Sequence, residues 1–457
     1  MVKNTLTTLR SRSRLIIGVL VGLVLVCGLG WVAYNLPPIH DRLAYRVQDA
    51  LSQIHDFFYA PQKVVFIPQT QQNDQIATIV AATLQALTPT TTKTCPPDVC
   101  QTATSTPGST LTPTSTQAPT NTPTAIPAQV ELKGVVHEYQ KMNNCGPTNL
   151  AMALTFWGWQ GDQMTTAAFL RPGFKPGSPD DKDDKNVMPY EMVNFVQQET
   201  NLSIILRTGG DIFLLKDLIA AGFPVLVEKG YEPEASLGWM GHYEVVDGYD
   251  DSKGVFLVQD SYVQPANGIS YPDMQDNWRA FDYTYLVIYP PEKEAQVFSV
   301  LGPQADLAYN EQYTAQKAAD EVQQLSGRDK FFALFNRGSS LVALQDYAGA
   351  SAAYDAAYTL YPSIPESQRP YRMTWYQTGP YFAYYYTGRY TDVINLATQT
   401  LNSTTSPGLE ESWVWRARAE VALGNITDAI NDLKQALVWH PGFQPALDDL
   451  ASLGVSP

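Results

Sequence analysis

The pattern of apolar and polar positions first marks an uncharged run near the N-terminus. Residues 15–36 carry no charge over 22 positions, slightly more than the roughly 20 that a helix needs to cross a bilayer. Only basic charges precede the run, which predicts a cytoplasmic tail over residues 1–14 and translocation of the rest. A cleaved signal peptide is the alternative, but the run is long and no A-x-A site closes it. We therefore predict a single-pass transmembrane helix and a location at the cell membrane.

Helical spacing continues after two prolines. Within residues 37–87, Leu43, Val47, Leu51 and Ile54 fall on one helical face, and a similar pattern follows the short apolar run VVFIP. We interpret this region as a helical stalk above the membrane. Its apolar face could also pair with another chain.

A stretch of different composition follows the stalk. Residues 88–129 consist mostly of threonine, proline and serine. Such a composition cannot bury enough apolar surface to fold, so we predict a disordered linker. Outside the cytoplasm, Cys95 and Cys100 could close a small disulfide loop within it, which would leave Cys145 unpaired.

Residues 130–290 have the pattern of a folded domain. VELKGVVHEY is predicted as a strand, and PYEMVNFVQQE and DIFLLKDLIAA as helices, the second beginning after Asp211 as its N-cap. Short runs rich in valine and aromatic residues then predict strands: FPVLVEKGY, HYEVVDGY, GVFLVQD and YTYLVIYP. Helices followed by antiparallel strands predict an α+β domain.

Residues 305–455 have a purely helical pattern with an internal repeat. The positions that mark two similar copies are Leu334, Gly338, Leu341, Tyr347, Ala350, Tyr354, Ala357 and Pro362, then Trp413, Ala417, Gly424, Ala429, Leu433, Ala436 and Pro441. Gly388 and Tyr390 mark a poorer copy between them, offset by 43 and 36 residues from its neighbours. The pattern resembles tetratricopeptide repeats, which implies an all-α solenoid whose concave face binds a peptide or a partner protein.

Length and charge narrow the function classes. A chain of 457 residues exceeds the usual single core, so we expect two or three folded units. The balance of 45 acidic against 30 basic side chains gives a net charge of −15. Because such a surface repels phosphate backbones, nucleic acid is not expected as a partner.

Cys145 is the only cysteine in a stretch that reads as a folded, water-soluble domain. Asn143 and Asn144 are favourable helix caps, and Gly146 and Pro147 suit a first turn, so a helix is predicted to begin close to the thiol. The positive end of the helix dipole and the unpaired backbone N–H groups favour thiolate over thiol. We predict that Cys145 is a nucleophile; the alternative is a buried small apolar residue.

A cysteine nucleophile needs a base, and the chain has five histidines. His40 and His55 belong to the predicted stalk and His440 lies near the C-terminus. His137 falls in the predicted strand just before Cys145, where the short separation hinders convergence. His242 begins a strand after a glycine-rich turn, so its ring can project from the sheet edge toward the helix N-terminus, and we predict it as the general base.

Two further residues complete the predicted site. Asp260 ends the strand after that of His242, and a hairpin would bring it back beside the imidazole as its orienting acceptor. Gln140 can donate its side-chain N–H to the oxyanion together with the Cys145 backbone N–H. The alternatives are that Asp260 caps a turn and that Gln140 is solvated. The acidic loop over residues 178–185 is interspersed with lysines and expected to be solvated, so no metal or cofactor is predicted.

These motifs resemble those of a known family. Gln140, the run NNCGPTNLAMAL, GHYEVVDGYD and VQDS are similar to the papain-like cysteine peptidases of the bacteriocin leader-processing family, in its broader peptidase-like branch. The resemblance implies Cys145 as nucleophile, His242 as base, Asp260 as orienter and Gln140 in the oxyanion hole. The phosphate-binding motif of the transporters fused to such peptidases is missing, so the double-glycine leader substrate is not carried over.

The sequence thus predicts a multidomain protein: an N-terminal transmembrane helix, an α+β papain-like domain and a C-terminal helical-repeat solenoid. Its expected function is that of a membrane-anchored, extracytoplasmic cysteine peptidase, with substrate or partner held by the repeats. One alternative is a catalytically inactive papain-like fold that serves as a binding scaffold. Another is a thiol acyltransferase or transpeptidase, which would pass the acyl group to an amine instead of water.

Overall fold

The computed structural model describes most of the C-terminal three quarters of the chain. The described residues are 126–457 without 176–185, 234–237 and 405, and, nearer the N-terminus, 25–34, 36, 39, 43, 46–47, 50 and 65–68. The chain divides into a compact unit, residues 1–67 and 128–457, and a second unit, residues 68–127, almost all of which lies outside the described residues.

Several predictions from the sequence fall on residues that the structure does not describe. They concern the predicted tail over residues 1–14, the first part of the transmembrane run, most of the stalk, most of the linker with Cys95 and Cys100, and the acidic loop over residues 178–185. Residues 25–34 are helical. Among the described residues, no helix combines the length and the apolar character that crossing a membrane requires.

An antiparallel sheet organises residues 129–289. Its strands are β1 (Gln129–Glu131), β2 (Ser203–Arg207), β3 (Val225–Tyr231), β4 (Met240–Asp250), β5 (Val255–Gln259), β6 (Asn267–Ser270) and β7 (Tyr285–Tyr289). The strand order is β2-β7-β3-β4-β5-β6, with β1 paired to β4 off this path. All pairs are antiparallel, and Val245 of β4 lies opposite Gln259 of β5, so the hairpin folds the end of β5 back toward the start of β4.

Helices cover the two faces of this sheet. They are α1 (Cys145–Thr155), α2 (Gln163–Leu170), α3 (Pro189–Glu199), α4 (Ile212–Ala220), α5 (Tyr271–Arg279) and α6 (Glu294–Leu301). Side chains of β3 alternate between the faces, since Val225 and Val227 pack with Leu218 of α4 while Leu226 packs with Leu154 of α1. The predicted domain with an antiparallel sheet is therefore confirmed.

One predicted strand is much shorter than expected. VELKGVVHEY was predicted as a strand throughout, but only Gln129–Glu131 pairs with β4, and residues 132–144 are irregular up to the start of α1. This segment runs from β1 to the N-terminus of α1. Its backbone groups do not pair with a strand; for example, the N–H of Gln140 donates to the carbonyl of Ser261 at 3.0 Å. His137 accordingly lies in an irregular segment and not in a strand.

The rest of the chain is helical, as the fold class predicted. The helices are α7 (Leu307–Gln324), α8 (Gly327–Ala343), α9 (Tyr347–Leu360), α10 (Met373–Tyr376), α11 (Gly379–Tyr386), α12 (Tyr390–Asn402), α13 (Glu410–Leu423), α14 (Ile426–Trp439) and α15 (Gln444–Ser452). Pairs of helices are joined by tight turns with left-handed residues at Gln345, Gly388 and Gly424. A Cβ on Gly338 would lie 2.5 Å from the Tyr354 ring, so this glycine permits α8 and α9 to pack closely.

An insertion lengthens the spacing between the first pair of helices and the next. Residues 361–378 hold two short 3-10 helices and α10, which accounts for the offset of 43 residues where the following copy has 36. The insertion contacts the sheet domain: the Arg372 guanidinium donates to the carbonyl of Trp239 at 3.1 Å, and the Gln377 amide to that of Ala280 at 2.7 Å.

A single apolar cluster joins the sheet domain to the helical region. Trp239 and Phe281 of the sheet domain belong to the same buried cluster as Phe331 of α8 and Tyr384 of α11. Phe66, from the run VVFIP, is inserted into this cluster and is only 6% exposed. Apolar burial on this scale holds the sheet domain, the helical region and this short N-terminal segment together.

Candidate active site

Cys145 occupies the first position of α1, as the sequence predicted. The helix packs on the sheet through residues such as Leu150 and Leu154, which are fully buried. Gly146 follows the cysteine where a Cβ would lie 3.0 Å from Met192 and 3.1 Å from Val187. Glycine therefore lets α1 begin against α3 and presents the sulfur at a helix N-terminus.

The expected capping by Asn144 takes another form. Its side chain makes no cap hydrogen bond to α1; instead its amide donates to Gln163 Oε1 at 2.9 Å, and its Oδ1 accepts from the Arg171 guanidinium at 3.0 Å. Gln163 Oε1 also accepts from the backbone N–H of Lys141 at 2.8 Å. The Asn144 side chain thus fixes the loop before Cys145 instead of the first helical turn.

His242 lies between Cys145 and Asp260. Its side chain is close enough to the Cys145 sulfur for their interaction to lower the pKa of the thiol and raise that of the imidazole. Its Nε2 lies 3.1 Å from Asp260 Oδ1, which leaves Nδ1 as the ring nitrogen for the cysteine. Asp260 Oδ1 also accepts from the backbone N–H of Tyr262 at 2.9 Å. The carboxylate therefore closes a turn and orients the imidazole at the same time.

The charges of Cys145, His242 and Asp260 shift one another's pKa values. Burial opposes the thiolate, but the hydrogen bond and charge of His242, with backbone N–H groups of Tyr243 and Gly146, hold the pKa of Cys145 below its ordinary value of 9.0. Burial also lowers the pKa of His242, yet Asp260 and Cys145 raise it to about 10. The lowered pKa of Cys145 and the raised pKa of His242 favour the thiolate and imidazolium pair over the neutral pair, and the thiolate is the nucleophilic form of a cysteine.

Gln140 lies beside the sulfur, held by a short chain of buried groups. Its Oε1 accepts from the Ser261 hydroxyl at 2.7 Å, and that hydroxyl accepts from the Asn149 amide at 2.8 Å. The Asn149 amide also donates to the Cys145 carbonyl at 2.9 Å. Because the amide oxygen of Gln140 is bound to Ser261, its NH₂ group is left to donate into the cleft that Gln140 and Cys145 line.

The structure thus brings together Gln140, Cys145, His242 and Asp260, the four predicted site residues. Gln140, Cys145 and His242 line a narrow cleft of about 40 Å³, and Asp260 lies next to the imidazole, with its Oδ1 3.1 Å from His242 Nε2. His137, the other histidine weighed from the sequence, packs edge-to-face on Tyr139 with ring centroids 4.7 Å apart.

Several residues of the site were missed in the sequence. Ser261 and Asn149 stand within the quoted motifs VQDS and NNCGPTN, and their buried polar type was a usable signal. Tyr231 stacks on the His242 ring at 4.6 Å and gave no local signal. Tyr376 also lines the cleft, and no pattern near Cys145 could have found it because it comes from the helical region.

Buried acidic groups surround the base on β3 and β4. Glu228 lies next to Tyr243, and burial raises its pKa well above the ordinary value, an effect that the nearby Cys145 reinforces. Glu244 Oε1 lies 2.9 Å from Lys229 Nζ and 4.0 Å from His242 Nε2. The raised pKa of Glu228 favours its neutral form, and Lys229 pairs with Glu244, so both effects reduce the negative charge near the Cys145 thiolate.

Two groups of described residues have the side chains that metals prefer. His242, Glu244 and Asp260 form one, and Glu191, Glu410 and His440 the other. In the first, Lys229 already places a cation against Glu244 and His242 bonds Asp260 directly, so the donors fit a cysteine-histidine-aspartate site better than a metal centre. In the second, His440 Nδ1 bonds Glu410 Oε1 at 3.1 Å.

This constellation can be compared with known proteins. Residues 129–286 match the sequence model of the Peptidase_C39 like family. The match spans the four site residues and supports a cysteine peptidase-like domain in this part of the chain, which we call the C39-like domain.

Other comparisons add little. A crystal structure from Bacillus anthracis, described provisionally as that of a C39-like peptidase, is 17% identical in sequence, with a TM-score of 0.29; the similarity covers 35% of this chain and 96% of that one. A comparison with curated protein sequences finds no match. The family match ends before the helical region, where tetratricopeptide repeats stay a prediction.

Proposed function

We propose that this chain is a cysteine peptidase that cleaves peptide or protein substrates through Cys145, His242 and Asp260. The observation that carries the proposal is the position of His242, which bonds the Cys145 sulfur with one side of its ring and Asp260, at 3.1 Å, with the other. A base placed between a nucleophile and an orienting carboxylate is the arrangement that acyl transfer requires.

The proposed reaction has two steps. The Cys145 thiolate attacks the carbonyl carbon, and the oxyanion that forms accepts hydrogen bonds from the Gln140 amide and the Cys145 backbone N–H. His242 then gives its proton to the leaving amine, which departs as the thioester forms. In the second step His242 takes a proton from water, the resulting hydroxide attacks the thioester, and the acid leaves as Cys145 is restored.

Membrane attachment and the repeats complete the proposal. The uncharged run over residues 15–36 and the basic residues before it favour an anchored protein whose C39-like domain lies outside the cytoplasm. The helical region over residues 305–455 would then present substrate or a partner protein to the site.

The test uses the full chain and a peptidyl chloromethyl ketone. We expect the reagent to label Cys145 much faster than it labels a free thiol, and the rate to fall in His242→Ala. Hydrolysis of a peptide mixture should disappear in Cys145→Ala. Labelling no faster than that of a free thiol, with no effect of His242→Ala, would overturn the proposal and favour the binding scaffold. Products captured by an added amine acceptor would show acyl transfer instead of hydrolysis.

A further inference from the structure

Tyr376 brings the helical region to the cleft that holds Cys145. It is the last residue of α10, within the insertion over residues 361–378, and it lines the cleft together with Cys145 and His242. The other residues of this cleft come from the C39-like domain. The cleft is therefore built by both parts of the chain, and not by the C39-like domain alone.

Contacts on several sides hold the Tyr376 ring in place. The ring lies against Gly241, the residue before His242. The ring meets Trp239 edge-on at 6.2 Å and Phe281 at 5.6 Å between centroids. The neighbouring Gln377 donates to the carbonyl of Ala280 at 2.7 Å. These contacts hold α10 against the sheet domain, beside the strand that carries the predicted base.

Gly241 is what allows the ring to approach. A Cβ at this position would lie 2.7 Å from Phe281 and 3.0 Å from Tyr376, distances at which one of these rings would have to shift. A side chain at residue 241 would therefore displace Phe281 or move Tyr376 away from β4. Gly241 and the Tyr376 ring together form one wall of the cleft.

Because the cleft is small, the position of this wall affects access to the Cys145 sulfur. The cleft volume of about 40 Å³ leaves room for only a few water molecules beside the sulfur. A group that enters this cleft to reach Cys145 shares the small volume with the Tyr376 ring.

We propose that Tyr376 is a specificity-determining residue, which limits the bulk of the group that can reach the Cys145 sulfur. The helical region is then part of the substrate site. As a statement about substrate selection, this inference rests on the proposed function. Steric access to the Cys145 thiol can nevertheless be measured without peptide hydrolysis.

The experiment compares two reagents with the same reactive group, N-ethylmaleimide and the bulkier N-(1-pyrenyl)maleimide. Their rates at Cys145 are followed by peptide mapping of the full chain and divided by their rates with glutathione. The variants are Tyr376→Ala, Tyr376→Leu, which keeps apolar contact with Trp239 and Phe281, and Tyr309→Ala as a control at a tyrosine that is 47% exposed. Near-ultraviolet circular dichroism establishes that each variant is folded.

We expect the wild type to disfavour the bulky reagent, and Tyr376→Ala to reduce that preference by about tenfold, a size typical of steric discrimination by one pocket wall. Tyr376→Leu should give an intermediate ratio and Tyr309→Ala the wild-type ratio. If Tyr376→Ala does not fold, Tyr376→Leu decides. An unchanged ratio in a folded variant overturns the inference. Failure of the proposed function looks different, because both reagents would then react slowly whether or not the ratio changes.

Discussion

His242 determines the chemical state of the site. It touches the sulfur on one side and Asp260 on the other, and Tyr231 stacks on its ring at 4.6 Å. The imidazole therefore has little freedom to rotate away from the thiol. Because its pKa is raised and that of Cys145 is lowered, proton transfer from sulfur to nitrogen is already favourable before a substrate arrives.

The pH dependence of alkylation tests this charge state. Only the thiolate reacts, so a lowered pKa places the midpoint of the rate profile of Cys145 below pH 9.0. In His242→Ala the interaction and charge that lower this pKa are lost while burial still raises it, so the midpoint should move to a higher pH than in the wild type. Rates with N-ethylmaleimide across the pH range measure both. His137→Ala is the control and should keep the wild-type profile; a wild-type midpoint at or above 9.0 contradicts the prediction.

Gln140 should matter for turnover and not for the reactivity of the thiol. Gln140→Ala removes a donor to the oxyanion, which typically costs about 10² to 10³ in kcat. Alkylation of Cys145 by iodoacetamide is a direct displacement of iodide at carbon, which forms no oxyanion, so it should keep its rate. Steady-state hydrolysis and iodoacetamide labelling of the same preparation separate the two effects. An equal loss in both assays would mean that Gln140 only supports the fold around the sulfur.

The four predicted residues were accessible from sequence for a definite reason. Cys145 and His242 each stand at the end of a well-marked element, and a short hairpin joins His242 to Asp260, so local patterns set their positions. Their catalytic roles stay predictions. Ser261 stands within the quoted motif VQDS and was overlooked. Tyr376 was not found, because its position at the site arises from long-range packing that no local pattern records.

At the scale of elements, the loop before α1 depends on one buried side chain. Gln163, at the start of α2, is 3% exposed. It accepts from Asn144 and Lys141 through Oε1, and donates to Glu138 at 2.6 Å through Nε2. The loop that carries Gln140 has no strand or helix of its own, so this amide replaces regular backbone pairing.

Removal of this amide should loosen the site. Gln163→Ala leaves the buried Asn144 amide without its acceptor, and one such unsatisfied group costs roughly 1–3 kcal/mol in the free energy of unfolding. We also expect a lower kcat, because the position of Gln140 becomes less defined. Urea unfolding and steady-state kinetics measure the two effects. Gln160→Ala, a nearby exposed glutamine, is the control, and equal stability of both variants would contradict this role.

The elements themselves were predictable where the pattern was strong. Pro189–Glu199 and the strands β3, β4, β5 and β7 agree with the expected runs, since their valine and aromatic content is high and turn residues bound them. β2, β6 and α2 were not predicted. The prediction of a full strand over VELKGVVHEY was wrong, because a strand-like composition does not supply a partner strand. Only the first residues of this run pair with β4.

At the scale of the molecule, the domains are less separate than the sequence suggested. A papain-like domain and a repeat region were expected as successive units, yet Trp239 and Phe281 share a buried cluster with the helical region. The longer repeat offset of 43 residues was visible, and it corresponds to the insertion that carries Tyr376. The offset could not show that the insertion packs against the sheet domain, because that contact depends on how the two regions of the chain pack together.

The same buried cluster accounts for the position of a short N-terminal segment that includes Phe66. Phe66 packs edge-to-face on Tyr358 with centroids 4.9 Å apart and lies 6.2 Å from Tyr384. Phe66→Ala should therefore lower the free energy of unfolding by about 3–5 kcal/mol, the usual cost of removing a buried aromatic ring. Denaturant unfolding of the full chain measures this loss. Ile67→Ala changes the next residue, which is 41% exposed, and should cost far less. If the two variants are equally stable, the segment does not dock into the helical core, and the stalk joins the folded region only through the chain that follows it.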